Sequence, residues 1–362
     1  MSASMIFHAP YPMELNPTSA SRLRPLRMRE AFKQIGYDVV DLSGSTPQRK
    51  ASMKHLKELL RSGKKPDFLY SENSTQPNVF STTIRDGFAP TLDTRIMRMA
   101  NNSKIPVGMF YRDIYWKFSS EKNGLLARLS PTFHKLDMKG YLKAHTHFFL
   151  PSEQMAEYLD LPEKTSYSAL PPAGDSNQVL PLPDSALTLF YVGGIGAHYK
   201  LNAFIDAARS IPQIRVNLVT RKKQWDEAIA SYPTFQSPQI HPYHLNANEL
   251  DDLYAQSHIG VLAVEPSDYR RFAVPLKLFE YLSRGRPILV TEGTEAARIV
   301  SSFNAGWVVP YTAEAIAATL RRLQGNRAEV QAKAANAVSA AKVNTWADRA
   351  RTVADTLTGK SK

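Results

Sequence analysis

Pro275-Leu276-Lys277-Leu278-Phe279-Glu280-Tyr281-Leu282-Ser283-Arg284-Gly285-Arg286-Pro287-Ile288-Leu289-Val290 is the stretch on which the reading of the fold turns. Proline is favoured in the first turn of a helix and glycine just past its end, and the apolar run behind Pro287 has the composition of a buried strand. The spacing therefore predicts a short helix feeding a strand. The start of such a helix carries unpaired N–H groups and partial positive charge, which suits a phosphate near Pro275 to Lys277. Lys277 and Glu280, three apart, share a face, so a cation stands beside the phosphate and a carboxylate one turn deeper, within reach of a sugar hydroxyl. Segments of this kind also occur in α/β proteins with no ligand at that point, and a purely structural role stays open from these residues alone.

The string PLKLFEYLSRGRPILV resembles the nucleotide-sugar segment of GT-B glycosyltransferases, in particular glycosyltransferase family four and its relatives of the bacterial surface-polysaccharide type. The resemblance implies an α/β fold of two Rossmann-like, doubly wound domains facing a cleft, with a C-terminal helix returning to the first domain. It implies that Glu280 holds the ribose of a nucleotide diphosphate sugar. The expected boundaries are 1–175 for an acceptor domain, 176–340 for a nucleotide-sugar domain, and 341–362 for the returning helix.

Length and composition agree with two domains. A chain of 362 residues exceeds one compact core of usual size, and 43% hydrophobic, 22% charged and 10% aromatic residues make ordinary globular material. There is no run of about 18 apolar residues, and MSASMIFHAPYP lacks the layout of a secretory signal, so a cytoplasmic location is expected. The absence of cysteine excludes disulfides, thiolate metal sites and a cysteine nucleophile. The net charge of +12 is uneven: residues 1–170 carry 24 Lys and Arg against 16 Asp and Glu. Such a half attracts anions, with nucleic acid, an anionic membrane surface or a phosphorylated acceptor as the candidates.

The first half opens as β–α–β. Ser4 to Ala9 reads as a strand, a helix runs through Met28, Ala31, Phe32 and Ile35, and Gly36 stops it before the strand at Tyr37 to Asp41. The intervening loop has no G-x-G-x-x-G and offers Asn16, Thr18, Ser19, Ser21 and Arg22, a chemistry for sugar hydroxyls or phosphates, or equally for capping the helix. SRLRPLRMREAFKQIGYDVV is similar to the opening of bacterial family-four-like enzymes, which implies an acceptor side including Asn16, Ser19 and Arg22. Residues 71–88 are polar and turn-rich and read as an exposed loop. Past the strand Ile105 to Tyr111 comes Arg112-Asp113, expected at the carboxyl end of a parallel sheet where ligands bind. Many family-four enzymes have His-Asp here. The resemblance implies that Asp113, with Arg112 in place of the His, serves the acceptor side together with Tyr111; an ion pair around Arg112 and Asp113 that anchors the loop is the competing reading. Downstream, Leu125 to Phe149 mixes Leu, Phe and Tyr with Arg128, Lys135, Lys139 and Lys143, a pattern fit for a membrane-resting face or for a plain amphipathic core helix. His145 and His147 are expected to pack or bond locally rather than hold metal.

The second half opens after the proline-rich crossing at 171–183 with the strand Thr188 to Val192 and Gly193-Gly194-Ile195-Gly196-Ala197-His198-Tyr199-Lys200. Glycines let backbone approach a ligand, and Lys200 reaches a diphosphate as a point charge. Tyr199 occupies the third-glycine position, and the next strand ends in Thr220-Arg221 rather than an acid, which disfavours NAD. Resembling enzymes show Gly-Arg with a Lys six residues on; Lys200 carries over and the Arg does not, so Arg270 or Arg271, with preference for Arg271, is expected to supply the missing cation. YHLNANELDDLYAQSHIGVLAVEP matches the family segment whose turn contacts the nucleotide base, implicating His244. Counting back from Glu280, the first of the family's two glutamates falls at Phe272, so retention of configuration does not follow.

Together these readings imply a hexosyltransferase that moves a sugar from a nucleotide diphosphate sugar to a carbohydrate or lipid-linked acceptor for a cell-surface polysaccharide. Asp113, Arg112 and Lys200 are the catalytic candidates; Gly193, Gly194, Lys200, His244, Arg271, Lys277 and Glu280 bind the donor. No metal, no cofactor and no nucleic-acid partner are expected, and the inner face of the plasma membrane is a further candidate location. The alternative is a catalytically degenerate GT-B protein that binds nucleotide sugar or partners without transfer, suggested by Gly194 and Phe272 where charged residues are expected.

Overall fold

The computed structural model describes residues 3–14, 20–78, 89–118, 125–175, 178–196 and 199–360. The chain divides into one unit of residues 1–172 with 346–362 and a second of residues 173–345.

The first unit contains β1 (Ser4–His8), α1 (Ala20–Gln34), β2 (Asp38–Asp41), α2 (Thr46–Arg61), β3 (Leu69–Glu72), α3 (Leu92–Asn102), β4 (Val107–Phe110), α4 (Tyr115–Phe118), α5 (Leu125–Lys143), β5 (His147–Leu150) and β6 (Tyr167–Ala169). Its strands form one parallel sheet in the order β2-β1-β3-β4-β5-β6. Helix α1 buries Met28, Ala31 and Phe32, and the Phe32 ring packs on Phe68 and Tyr70 with centroids 5.7 and 5.4 Å away. Gly36, at φ +96°, turns the chain back toward the sheet. The stretch beginning at Ser71 is not an exposed loop at its start. Ser71 and Glu72 complete β3, and Asn73 and Asn78 are also buried. Each finds a partner for its polar groups, as when Asn78 donates to the Tyr141 hydroxyl at 2.7 Å, and this removes the penalty that would otherwise keep them in water.

The second unit runs β7 (Thr188–Val192), α6 (Asn202–Arg209), β8 (Arg215–Val219), α7 (Lys222–Ser231), β9 (Ile240–Tyr243), α8 (Asp251–Ala255), β10 (Ile259–Leu262), α9 (Leu276–Ser283), β11 (Ile288–Thr291), α10 (Glu295–Ser302), β12 (Gly306–Val309), α11 (Ala313–Gly325) and α12 (Arg327–Lys342). Its sheet is also parallel, ordered β12-β11-β10-β7-β8-β9. Alternate residues of β7 serve opposite faces: Leu189 and Tyr191 enter one apolar cluster and Phe190 the other. A sheet covered on both faces explains why its strands read as continuous apolar runs. The chain then returns to the first unit as α13 (Trp346–Thr358), which packs on α1 and β4. Leu357 fills the space beside Gly108, where a Cβ would lie only 2.8 Å from it.

Helix α9, the helix of the opening stretch, is pinned on the sheet by its own side chains. The Tyr281 ring lies so close over Gly260 of β10 that a Cβ there would overlap it, and its hydroxyl accepts the Val192 N–H at 3.2 Å. Behind the helix, buried Arg286 donates to the carbonyls of Tyr254, Leu180 and Pro181 at 2.9 to 3.0 Å. Gly260→Ala is expected to lower stability by about 2 kcal/mol or more through overpacking, and Tyr281→Phe by about 1 kcal/mol through the lost hydrogen bond. Thermal or urea denaturation checks both; an unchanged midpoint in Gly260→Ala would contradict this packing.

Candidate functional site

In the second unit the sheet order reverses between β7 and β10, and crevices of this kind, at the carboxyl ends of parallel strands, are where ligands bind. Lys277, in the first turn of α9, reaches this point. Its ammonium donates to the Val192 carbonyl at 3.1 Å, lies 4.1 Å from the centre of the Tyr191 ring, and is 5.6 Å from that of Tyr199. Burial pushes Lys277 down to about 7; the positive charge of Arg270 adds to the effect and Glu280 opposes it. Glu280, one turn on, is half-buried. No side chain among the described residues caps α9 at Pro275, whereas α10 and α11 are capped by Thr294 and Thr312. The helix start therefore adds its own positive end to the cation.

Gly193 and Gly194 follow β7. Gly193, at φ +141°, makes room for Lys277: a Cβ would lie 3.0 Å from the ammonium nitrogen. The Gly194 carbonyl accepts the Tyr191 hydroxyl at 2.5 Å. Lys200 is half-exposed and paired with Glu265 at 2.8 Å. Of the two neighbouring arginines, Arg270 is the one turned toward this group. Its guanidinium lies 4.9 Å from the Tyr199 ring centre and its Nε donates to the Glu265 carbonyl, while exposed Arg271 stands 3.7 Å from Asp268. Tyr191 and Tyr199 thus join the residues expected from sequence, and of the two candidate arginines Arg270, not the preferred Arg271, stands with them. His244 is exposed beyond β9 and donates from Nδ1 to the Thr220 carbonyl at 2.8 Å. Phe272 is buried against Tyr269 and is part of the packing.

In the first unit, Arg112 follows β4 but does not pair with Asp113. Its Nη2 donates to Glu72 at 3.3 Å and to the Tyr11 hydroxyl at 2.9 Å, and its backbone N–H donates to Asn73. The ion pair weighed for this loop exists with a different partner, because parallel register sets Glu72 of β3 beside Phe110 of β4. Asp113 accepts the Tyr115 N–H at 2.6 Å and so starts α4. Tyr111 is buried with its ring against Phe148, and burial raises its hydroxyl well above the usual range. Arg22 is exposed and paired with Glu14, and Asn16 and Ser19 lie outside the described residues. His147 bonds Ser166 and Ser168 at 2.7 and 2.9 Å, the local bonding expected of it.

Residues 200–355 match the family model described as glycosyl transferase-like. No curated protein matches the chain. Among solved structures, it is similar to sucrose-phosphate synthase from Thermosynechococcus elongatus, at 12% identity and a TM-score of 0.68 over 99% of this chain and 100% of that one. HepE of Anabaena, solved in complex with UDP, gives 12% identity and a TM-score of 0.65 over 98% and 100%. WaaG, a glycosyltransferase involved in lipopolysaccharide biosynthesis, gives 16% and 0.60 over 98% and 100%. With two parallel, doubly wound sheets and a last helix that rejoins the first unit, the chain has the GT-B fold, and most of the glycosyl transferase-like family match falls in its second unit.

Proposed function

We propose that the protein transfers a sugar from a nucleotide diphosphate sugar to a carbohydrate or lipid-linked carbohydrate acceptor in the synthesis of a cell-surface polysaccharide. The observation that carries this reading is Lys277: a desolvated ammonium at the uncapped start of α9, at the point where the sheet order reverses. A diphosphate placed there meets Lys277, Arg270 and the helix start, while Lys200 exchanges Glu265 for phosphate. Glu280 then takes the ribose hydroxyls. Charge builds on the departing diphosphate as the glycosidic bond breaks, and fixed cations in a partly desolvated site stabilise it without a metal ion. The solution of HepE with UDP and with UDP-glucose supports a uridine donor. Asp113 and Arg112 stand on the acceptor side, at the carboxyl end of β4.

A second reading keeps donor binding and drops transfer. It is favoured by Phe272, which is buried where resembling enzymes place a carboxylate. A thermal-shift panel of UDP, GDP, ADP and dTDP, with and without EDTA, followed by donor turnover, separates the two. Stabilisation by one diphosphate with EDTA present, together with turnover, is the expected result; binding without turnover on any acceptor supports the degenerate protein.

Helix α5 supports a membrane-surface role on the cytoplasmic side. Leu129 and Leu136, seven apart and hence on one face, are exposed, as are Lys135, Lys139 and Lys143. No helix among the described residues is long and apolar enough to cross a membrane. Sedimentation with anionic vesicles is expected to retain the wild type and to lose Leu136→Glu, with neutral vesicles retaining neither.

Lys277→Met and Glu280→Ala are each expected to lower donor turnover, the former about a hundredfold. Because the Lys277 ammonium is disfavoured in the free protein, its removal also raises the unfolding temperature at pH 8. Unchanged turnover in both variants would remove this site assignment.

Binding of UDP is expected to be proton-linked. Lys277 is charged below its free-state value of about 7, so at low pH it takes up no proton on binding. Above that value it must take up a proton from solvent as the diphosphate binds, and affinity falls by up to about tenfold per pH unit. Calorimetry at pH 8 in buffers of different ionisation enthalpy should show uptake of close to one proton, absent in Lys277→Met.

A further inference from the structure

The first unit holds a buried cluster with more positive than negative charge. Glu72, fully buried at the end of β3, accepts Arg24 Nε at 3.1 Å, Arg112 Nη2 at 3.3 Å and the Tyr70 hydroxyl at 2.7 Å. Two guanidinium groups thus share one carboxylate. Arg24 is only 4% exposed and is held 3.4 Å over the Phe110 ring. Two donors are left over: no group among the described residues accepts from Arg24 Nη1 or from Arg112 Nε. A buried cation without a counter-charge is costly, and so is a buried donor without an acceptor. A third guanidinium, Arg349 of α13, donates to the carbonyls of Pro171 and Pro172; burial, and then the charge of Arg24, push it down to about 10.

The cluster also lies where a ligand is expected. The sheet order reverses between β1 and β3, Tyr11 follows β1, Glu72 ends β3 and Arg112 follows β4, all at the carboxyl ends of the strands. The Tyr11 hydroxyl occupies Arg112 Nη2 as a neutral partner, so an oxyanion that moves it aside gains the paired Nη2 and Nε donors of one guanidinium edge. Planar, two-point binding of carboxylate or phosphate is what that edge does best.

We propose that Arg112, backed by Arg24, binds an oxyanion carried by the acceptor, a carboxylate or a phosphate on the sugar next to the site of transfer. The assignment of the oxyanion to an acceptor rests on the transferase reading; the anion site itself does not. A neutral acceptor would leave the surplus charge of Arg24 and Arg112 uncompensated.

Calorimetric titration of the full chain with glucose 6-phosphate, glucuronate, inorganic phosphate and glucose tests this, with UDP present at saturation to fill the donor site. We expect one equivalent of at least one charged probe to bind, glucose to bind about tenfold more weakly or not at all, and Arg112→Gln to lose about tenfold in affinity for the charged probe while keeping its response to UDP. Preference among the probes separates phosphate from carboxylate as the group read. Absence of saturable binding by every charged probe, equal binding of glucose, or undiminished binding in Arg112→Gln would overturn the proposal. If none of UDP, GDP, ADP and dTDP binds, the transferase reading fails, and the same titrations on Lys277→Met without nucleotide still decide the anion site. Should Arg112→Gln not fold, a wild-type structure with the bound probe decides instead: an oxyanion within hydrogen-bond distance of Arg112 Nε supports the site, and its location elsewhere refutes it.

Discussion

Both main-chain polar groups of one residue, Val192, are taken by side chains of α9: its N–H by the Tyr281 hydroxyl and its carbonyl by the Lys277 ammonium. This double tie fixes the height and rotation of the helix against the end of β7. It is possible only because Gly260 lets the Tyr281 ring lie against β10 and Gly193 leaves space for the ammonium. The helix start, the cation and Glu280 inherit their positions from it. Five residues, on β7 and the turn after it, on β10 and on α9, therefore carry a geometry that a cap or a single ion pair would not hold as firmly, since rings locked by packing have few alternative rotamers.

The same arrangement works against stability. An ammonium over a tyrosine face, bonded to one carbonyl, has lost most of its water and gained little in return, while Arg270 stands close enough to oppose it further. Glu72 in the first unit, accepting from two guanidinium groups, is another place where charge is concentrated beyond local balance. Asp93 is held below the usual carboxylate range: its burial works the other way and is outweighed by its bonds and charge interactions with His8 and Arg49. Surplus buried charge in a fold of marginal stability points to a ligand.

Local punctuation made much of the architecture legible. Pro275 and Gly285 bracket α9, Gly36 turns the chain between α1 and β2, and continuous apolar runs mark strands covered on both faces. Lys277 and Glu280 could be placed on one helical face because their separation is local. What the sequence hid depends on register and rotation. Arg112 finds Glu72 forty residues upstream because β3 and β4 pair as they do, and no spacing rule reports that. Arg270 and Arg271 are chemically alike and adjacent; one turn of 3-10 helix decides which faces Tyr199. Tyr191 and Tyr199 looked like strand and loop residues, and their lining of the Lys277 site follows from tertiary packing.

The return of α13 to the first unit places a condition on the order of assembly. All of residues 173–345 are synthesised before Leu357 can fill the space beside Gly108, Trp346 can approach Arg24, or Arg349 can take the carbonyls of Pro171 and Pro172. On the ribosome, the second unit can therefore complete its core while the first, although made earlier, still lacks a wall. Until the last fifteen or so residues emerge, the apolar surface of α1 and β4 is uncovered and open to misassociation. A stop or frameshift shortly after Thr345 would spare every residue of the second sheet and still deprive the first of its closing helix.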